Sequence, residues 1–154
     1  MTLPYPDSPA VSENIADSIS RIEQNIEYLD GQIADTSFAQ VVLASVEMST
    51  AWATVNVAGA GFTPTAVMAW GIDETGESMT WGMATSTAAT GCVYKTYAGT
   101  AGSDASLLLY LLQASGASQQ AELQSFHSDG AYIEFTKTGS PVGKVMTINY
   151  IFMR

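Results

Sequence analysis

The sequence predicts a mainly β protein, an antiparallel, jelly-roll-like β-sandwich preceded by a short N-terminal helix that forms a trimeric coiled coil. Two observations predict this. Apolar residues recur at spacings of four and three between residues 15 and 33, and short apolar segments separated by Gly-bearing turns follow from residue 37 onward. We therefore divide the chain into an extended arm at 1–11, a coiled-coil helix at 12–36 and a β-sandwich domain at 37–154.

The composition limits the classes of partner. Of the 154 residues, 47% are apolar and 13% are charged, so the chain has a real core but a weakly polar surface, part of which we expect sister chains to cover. The net charge is −10, with only five lysines and arginines. Phosphate backbones and anionic lipids are bound by basic side chains, so we expect no nucleic-acid partner and no membrane partner.

The arm at 1–11 contains three prolines, which disfavour both helix and strand. Two interpretations remain open: a frayed terminus, or an attachment arm that orders on a partner with Leu3 and Tyr5 as anchors. The first residues lack the basic and apolar regions of a secretory signal, and no apolar window is long enough to span a membrane. We therefore expect neither a signal nor a membrane span.

The segment at 12–36 has the spacing of a heptad seam. Its members are Ile15, Ile19, Ile22, Ile26, Leu29 and Ile33. Isoleucine at a and mainly isoleucine at d favour trimers over dimers, so we predict a homotrimer. The seam is short, and we expect the downstream domain to associate as well. The alternative is a single amphipathic helix packed on its own domain, although such helices usually carry a wider apolar stripe.

The strands of the domain follow from apolar segments bounded by turn residues. We predict them at 39–48, 51–57, 65–72, 78–86, 92–97, 106–113, 122–127, 132–138 and 145–153. Residues 106–113 have helical propensity, but their short length favours a strand. Asp129-Gly130 predicts a hairpin turn, and the nearly continuous apolar character of the last strand predicts a central position or contact with sister chains.

Residues with catalytic or metal-binding chemistry are few. Cys92 is the only cysteine and His127 the only histidine, so we expect Cys92 to be buried and His127 to lie beside a turn without a catalytic role. The carboxylates of Asp73, Glu74 and Glu77 could offer oxygens to Ca²⁺, but we interpret their segment as a solvated hairpin tip. The sequence therefore predicts no catalytic residue, no cofactor and no resident metal.

Aromatic side chains offer one candidate binding site. Trp70 and Trp81 flank the turn that holds Asp73, and aromatic rings stack on the apolar faces of sugars. We take these three residues as candidate contacts for a host surface glycan. The alternative for both tryptophans is packing in the core.

The segments GAGFTPTAVMAWG and FHSDGAYIEFTKTGSPVGKVMTINYIFMR resemble the small β-sandwich modules of tailed-bacteriophage structural proteins. The resemblance spans about residues 38–154 and transfers no site residue. It implies a non-enzymatic, trimeric virion component assembled in the host cytoplasm. We expect a capsid decoration or head-fibre protein, held on the major capsid protein or another virion protein by its arm. The alternative is a receptor- or carbohydrate-binding tip of a tail fibre.

Overall fold

A computed structural model describes residues 15–34, 38–47, 54–140 and 145–154 of the chain. These residues form one helix, α1 (Ile15–Ala34), and ten strands. The strands are β1 (Phe38–Glu47), β2 (Thr54–Ala58), β3 (Ala66–Asp73), β4 (Met79–Ala84), β5 (Thr90–Lys95), β6 (Ala101–Asp104), β7 (Leu109–Ala114), β8 (Ala117–His127), β9 (Gly130–Thr138) and β10 (Val145–Met153). The chain divides into two compact units, Met1–Ser37 and Phe38–Arg154.

Helix α1 confirms the predicted helix over Ile15–Ala34, and the remainder of the predicted segment lies outside the described residues. Asp17 lies in its first turn, where a carboxylate stabilises the positive end of the helix dipole. The central seam side chains are exposed in the single chain, with exposed fractions of 50% for Ile19, 58% for Ile22 and 52% for Ile26. The helix therefore presents an apolar stripe that water does not favour.

The strands form two antiparallel sheets, which confirms the predicted mainly β, antiparallel class. The six-stranded sheet has the order β1-β10-β3-β4-β5-β6, and the four-stranded sheet has the order β2-β9-β8-β7. β10 pairs with β1 on one side and β3 on the other. The predicted central position of the last strand is therefore confirmed.

Each predicted strand has a counterpart in the structure, with bounds that shift by a few residues. Residues 106–113 contribute β7, so the choice of strand over helix is confirmed. β6 was not predicted, because most of its residues lie in the Gly-containing segment at 99–103, whose composition is typical of a turn. Gly102 pairs with Tyr94, and a Cβ atom on Gly102 would lie 2.6 Å from the tyrosine ring, so the ring covers the glycine.

The inner faces of the two sheets supply one hydrophobic core. Its fully buried members include Val67 of β3, Leu111 of β7, Phe135 of β9 and Tyr150 of β10. The Tyr150 ring stacks on Phe152 with centroids 6.2 Å apart, and its hydroxyl has no hydrogen-bond partner among the described residues. Burial raises the pKa of Tyr150 far above its ordinary range, because the core disfavours a phenolate.

Side chains of the six-stranded sheet hold β7 in place. The Ser78 hydroxyl donates to the carbonyl of Leu112 at 2.9 Å, and the Tyr110 amide donates to the Thr80 hydroxyl at 3.1 Å. Nearby, a Cβ atom on Gly82 would fall on the carbonyl oxygen of Leu108. On the inner side of β4, the backbone before β7 therefore takes the space that a large side chain would need.

Two features mark the ends of the six-stranded sheet within the described residues. The pairing of β1 with β10 shifts register between Leu43 and Val46, as at a β-bulge. At the other end lies β6, which pairs with β5 over only Ala101–Asp104. Neither end offers a long, regular strand.

Candidate functional site

The sequence of β4, MTWGMA, alternates large and small residues, and the structure turns the large ones outward. Met79, Trp81 and Met83 are exposed to 44%, 50% and 49%, whereas Thr80 and Gly82 face the core. Large apolar side chains normally occupy the core, and the reversal has a steric cause. The backbone of the segment before β7 approaches Gly82 so closely that small residues are needed on the inner side.

The neighbouring strands extend this apolar surface. Trp70 of β3 pairs with Trp81 of β4, which in turn pairs with Val93 of β5, so the three form a row across the sheet. We call the outward side chains of β3, β4 and β5 the tryptophan face. Its members larger than alanine are Met68, Trp70, Ile72, Met79, Trp81, Met83, Val93 and Lys95.

The tryptophan face has a ridge and two hollows. One hollow has a volume of about 630 Å³ and is lined in part by Trp70, Tyr94 and Lys95. The other, of about 400 Å³, is lined in part by Met68 and Met83. Trp81 and Val93 line both hollows and form the ridge between them.

The face carries little charge and few hydrogen-bonding groups. Among the outward side chains of β3, β4 and β5, Lys95 is the one charged group, and the indole N–H groups of Trp70 and Trp81 are the other donors. The nearby Thr80 hydroxyl points inward, where it donates to the Val93 carbonyl at 3.4 Å. The tryptophan face therefore suits contact with an apolar surface better than binding of a sugar, which presents many hydroxyl groups.

Asp73, the third candidate glycan contact, lies on the other side of β3. Its side chain is 2% exposed, and its Oδ1 atom accepts hydrogen bonds from the Thr75 hydroxyl at 3.1 Å and the Glu77 amide at 3.0 Å. These bonds fix the turn between β3 and β4. The structure therefore brings Trp70 and Trp81 together but separates Asp73 from them.

A second polar cluster lies where the β8–β9 hairpin meets the loop after β2. The Asp129 carboxylate accepts hydrogen bonds from the amides of Gly59 at 3.0 Å and Gly61 at 2.6 Å. The Asp129 carbonyl accepts further bonds from the amides of Gly59 at 3.0 Å and Ala60 at 2.9 Å. Gly59 and Gly61 have φ angles of 109° and 76°, a region that favours glycine. These hydrogen bonds fix the loop after β2, and both oxygens of the Asp129 carboxylate take part in them.

The hairpin turn differs by one residue from the prediction. β8 ends at His127 and β9 begins at Gly130, so Ser128 and Asp129 form the two-residue loop. Gly130 is favoured both by its φ angle of 153° and by close packing, because a Cβ atom there would fall on the carbonyl oxygen of Val57. The glycine allows β2 to approach β9.

His127 and Cys92 both have structural surroundings. The Asp129 amide donates to Nδ1 of His127 at 3.2 Å, and the imidazole lies 4.8 Å from the Tyr132 ring. Cys92 is 5% exposed, and burial raises the pKa of its thiol, which makes it a poor nucleophile. The expectation that Cys92 is buried is confirmed.

The described residues contain neither a cluster of metal ligands nor a membrane-spanning helix. No three His, Cys, Asp or Glu side chains lie close enough together to hold a metal ion within the described ranges. In the same ranges, no helix has the length and apolar character needed to cross a membrane.

The predicted trimerisation seam lies on α1 as described, although the side chains of Ile15 and Ile33 are outside the described part of the structure. Leu3 and Tyr5, the predicted attachment residues, also lie outside it. Comparison of the chain with family models, curated proteins and solved structures gives no match.

The remaining apolar members of the tryptophan face were missed from the sequence: Met68, Ile72, Met79, Met83 and Val93. The available signal was the alternation of large and small residues in β4, with Gly82 between Trp81 and Met83. A glycine in a strand indicates close approach of other backbone, so the large residues beside it must point the other way.

Proposed function

We propose that this chain is a non-enzymatic structural protein of a bacteriophage particle, a homotrimer that decorates the capsid or forms a head fibre. The exposed seam of α1 carries the proposal, because Ile19, Ile22 and Ile26 are each at least half exposed in the single chain. Association of three helices buries these side chains, and the strict spacing of four and three fits a coiled coil. The trimer is the state that isoleucine-rich a and d positions favour.

The N-terminal arm attaches the proposed trimer to the phage particle. The Pro-rich arm, with Leu3 and Tyr5 as anchors, binds the major capsid protein or another virion protein. A closed three-fold assembly matches three-fold sites of a capsid lattice. Assembly of the particle in the host cytoplasm is compatible with the unpaired thiol of Cys92.

We further assign the Phe38–Arg154 unit to a β-sandwich of jelly-roll-like type. The pairing of β1 with β10 and of β2 with β9 supports this assignment. These pairs bring the beginning and the end of the domain together in both sheets. Such long-range return connections are typical of Greek-key and jelly-roll domains.

Sedimentation equilibrium tests the oligomeric state directly. We expect the wild-type protein to have three times the chain mass, and Ile22→Asp to weaken association by about a hundredfold or more, because burying unpaired carboxylates in the seam is costly. Gln24→Asp is the matched control, since Gln24 is exposed on the same helix outside the seam. A monomeric wild-type protein, or equal association of the two variants, would contradict the trimer.

The location is tested by electron cryomicroscopy of the native particle. We expect density for projecting trimers on the head surface, and labelled antibody against this chain should bind there. Density confined to the tail would refute the decoration or head-fibre function.

The alternative function, a glycan-binding tip, has one observation in its favour: Trp70 and Trp81 lie side by side on an exposed face. The scarcity of hydrogen-bonding groups among the outward side chains of β3, β4 and β5 weighs against it. A glycan array gives the test, and binding that Trp81→Ala abolishes would place this function above the structural one.

A further inference from the structure

The tryptophan face is more apolar than water-facing sheet surfaces normally are. Trp81, Met83 and Val93 are exposed to 50%, 49% and 51% in neighbouring strands, and they lie beside further large apolar side chains. Single exposed apolar residues are ordinary, but a contiguous patch across three strands marks a surface that another molecule covers.

The side chains of this face favour a protein partner over a small polar ligand. Tryptophan and methionine are enriched in the buried centres of protein interfaces, where charged groups are depleted. Trp81 and Val93 form a ridge between hollows of about 630 Å³ and 400 Å³, a relief that can interdigitate with side chains of a partner. A sugar would need polar groups that the outward side chains of β3, β4 and β5 scarcely provide.

We infer that the tryptophan face packs against the Phe38–Arg154 unit of a second copy of this chain. Charge selects this occupant. The chain has a net charge of −10, so two copies repel each other over most approaches. No carboxylate points outward from β3, β4 or β5, and the one charged group there is Lys95. Lys95 lines the larger hollow, and Asp104 of the adjoining β6 lines the smaller one. Two copies that meet through this face therefore each bring one cation and one carboxylate to the contact and keep their other outward carboxylates apart.

The inference rests on the proposed trimer and identifies the surface that completes it. A seam as short as that of α1 gives little stability without help from packing elsewhere. Once the helices associate, the tethered β-rich units are held at a high effective concentration. A face of moderate size then contributes to the assembly even if it would not hold two separate domains together.

Oxidation of methionine in purified full-length protein tests whether a sister chain covers the face. Met79 and Met83 are 44% and 49% exposed in the single chain, so hydrogen peroxide should oxidise them there at close to the rate of N-acetylmethionine amide. In the trimer we expect both to react about tenfold more slowly, as measured by peptide mass spectrometry above and below the dissociation concentration. Protection that does not depend on concentration would mean that the chain covers its own face, and would overturn the inference.

Substitution provides an independent test. Trp81→Glu should weaken trimer association about tenfold or more in sedimentation equilibrium, because a carboxylate at the centre of an apolar interface lacks a partner. Tyr132→Glu is the matched control, since Tyr132 is 40% exposed on the outer face of the four-stranded sheet, and we expect association to change less than about twofold. Far-ultraviolet circular dichroism checks that each variant remains folded. If Trp81→Glu does not fold, the oxidation of Met79 and Met83 in the wild-type protein still tests the inference.

The outcomes separate the inference from the proposed function. A wild-type protein that is monomeric at every concentration refutes both. A wild-type trimer that Ile22→Asp disrupts, but in which Met79 and Met83 oxidise as fast as the free amide, supports the trimer and refutes the inference. The face would then be open to a different partner, including a glycan.

Discussion

The outer faces of the two sheets have opposite chemistry, although their inner faces share one core. On the six-stranded sheet, the row across β3, β4 and β5 reads Trp70, Trp81 and Val93. On the four-stranded sheet, the corresponding row across β2, β9 and β8 reads Thr54, Glu134 and Glu122. One face is apolar, and the other is polar and charged.

The polar face shows what a solvated sheet of this protein looks like. Glu122 and Glu134 lie opposite each other, an arrangement that is tolerable only where water screens the two carboxylates. Gln124 donates to the Glu134 carboxylate at 2.9 Å and relieves part of the repulsion. On the other sheet, the outward side chains of β3, β4 and β5 include no carboxylate. This difference in charge distinguishes the tryptophan face from a solvated face of the same protein.

The largest expected effect concerns the reversal that creates the tryptophan face. Gly82→Ala should lower the free energy of unfolding by about 3 kcal/mol or more, because the added Cβ atom meets the rigid Leu108 carbonyl rather than a side chain that can move. Gly71→Ala is the matched control on the same inner face. Its Cβ atom would lie 3.1 Å from the flexible Met146 sulfur, so we expect a change within about 1 kcal/mol.

Urea unfolding monitored by circular dichroism measures both variants at one protein concentration. Equal losses for Gly82→Ala and Gly71→Ala would show that backbone approach does not force the large residues of β4 outward. The outward orientation of Trp81 and Met83, and with it the difference between the two faces, would then have a different cause.

A smaller effect is expected at the end of the four-stranded sheet. Asp129→Ala should cost about 1–3 kcal/mol, because the amides of Gly59 and Gly61 lose a charged acceptor. Asp129→Asn keeps one acceptor oxygen and should cost less. Amide hydrogen exchange at Gly61 checks the cause, because the Gly59 amide keeps its bond to the Asp129 carbonyl. Unchanged protection of Gly61 in Asp129→Ala would contradict it.

The smallest effect has the opposite sign and lies between the sheets. Tyr150→Phe should raise the free energy of unfolding by about 1 kcal/mol, because it removes a buried hydroxyl without a hydrogen-bond partner among the described residues. Tyr132→Phe, on the exposed polar face, should change it by less than about 0.5 kcal/mol.

The same variant predicts a pH dependence. The folded-state pKa of Tyr150 is raised above the unfolded value of about 10, so its phenol contributes stability below about pH 10 that is lost as the pH rises further and the unfolded chain ionises. Tyr150→Phe should lose less stability than wild type between about pH 9 and about pH 11. Parallel losses in urea unfolding would contradict the buried phenol as their source.

The periodic parts of the fold could be predicted from the sequence because local patterns determine them. The strict spacing of apolar residues by four and three predicts α1, and apolar segments between turns predict most of the strands. β6 could not be predicted because its four residues, which include Gly102, have no strand pattern of their own. They pair with β5, where Tyr94 lies opposite Gly102. The pairing of β1 with β10 joins residues that are 98 to 115 positions apart, and no local signal specifies it.

The candidate site was predictable only in part. Trp70 and Trp81 were identified as aromatic residues near one turn, but the sequence does not show which face of a strand points outward. The rule that large residues point inward fails in β4, where Gly82 meets the Leu108 backbone. Asp73 was grouped with the tryptophans by proximity along the chain, and the strand alternation places it on the opposite side.

The two ends of the six-stranded sheet bear on how growth of an assembly is stopped. A regular edge strand is a template on which further strands add without limit, and the result is a fibre. Here β6 offers only Ala101–Asp104, and the register of β1 shifts between Leu43 and Val46. Lateral addition of strands is thus discouraged at each end of the sheet, which limits the growth of fibres from this protein.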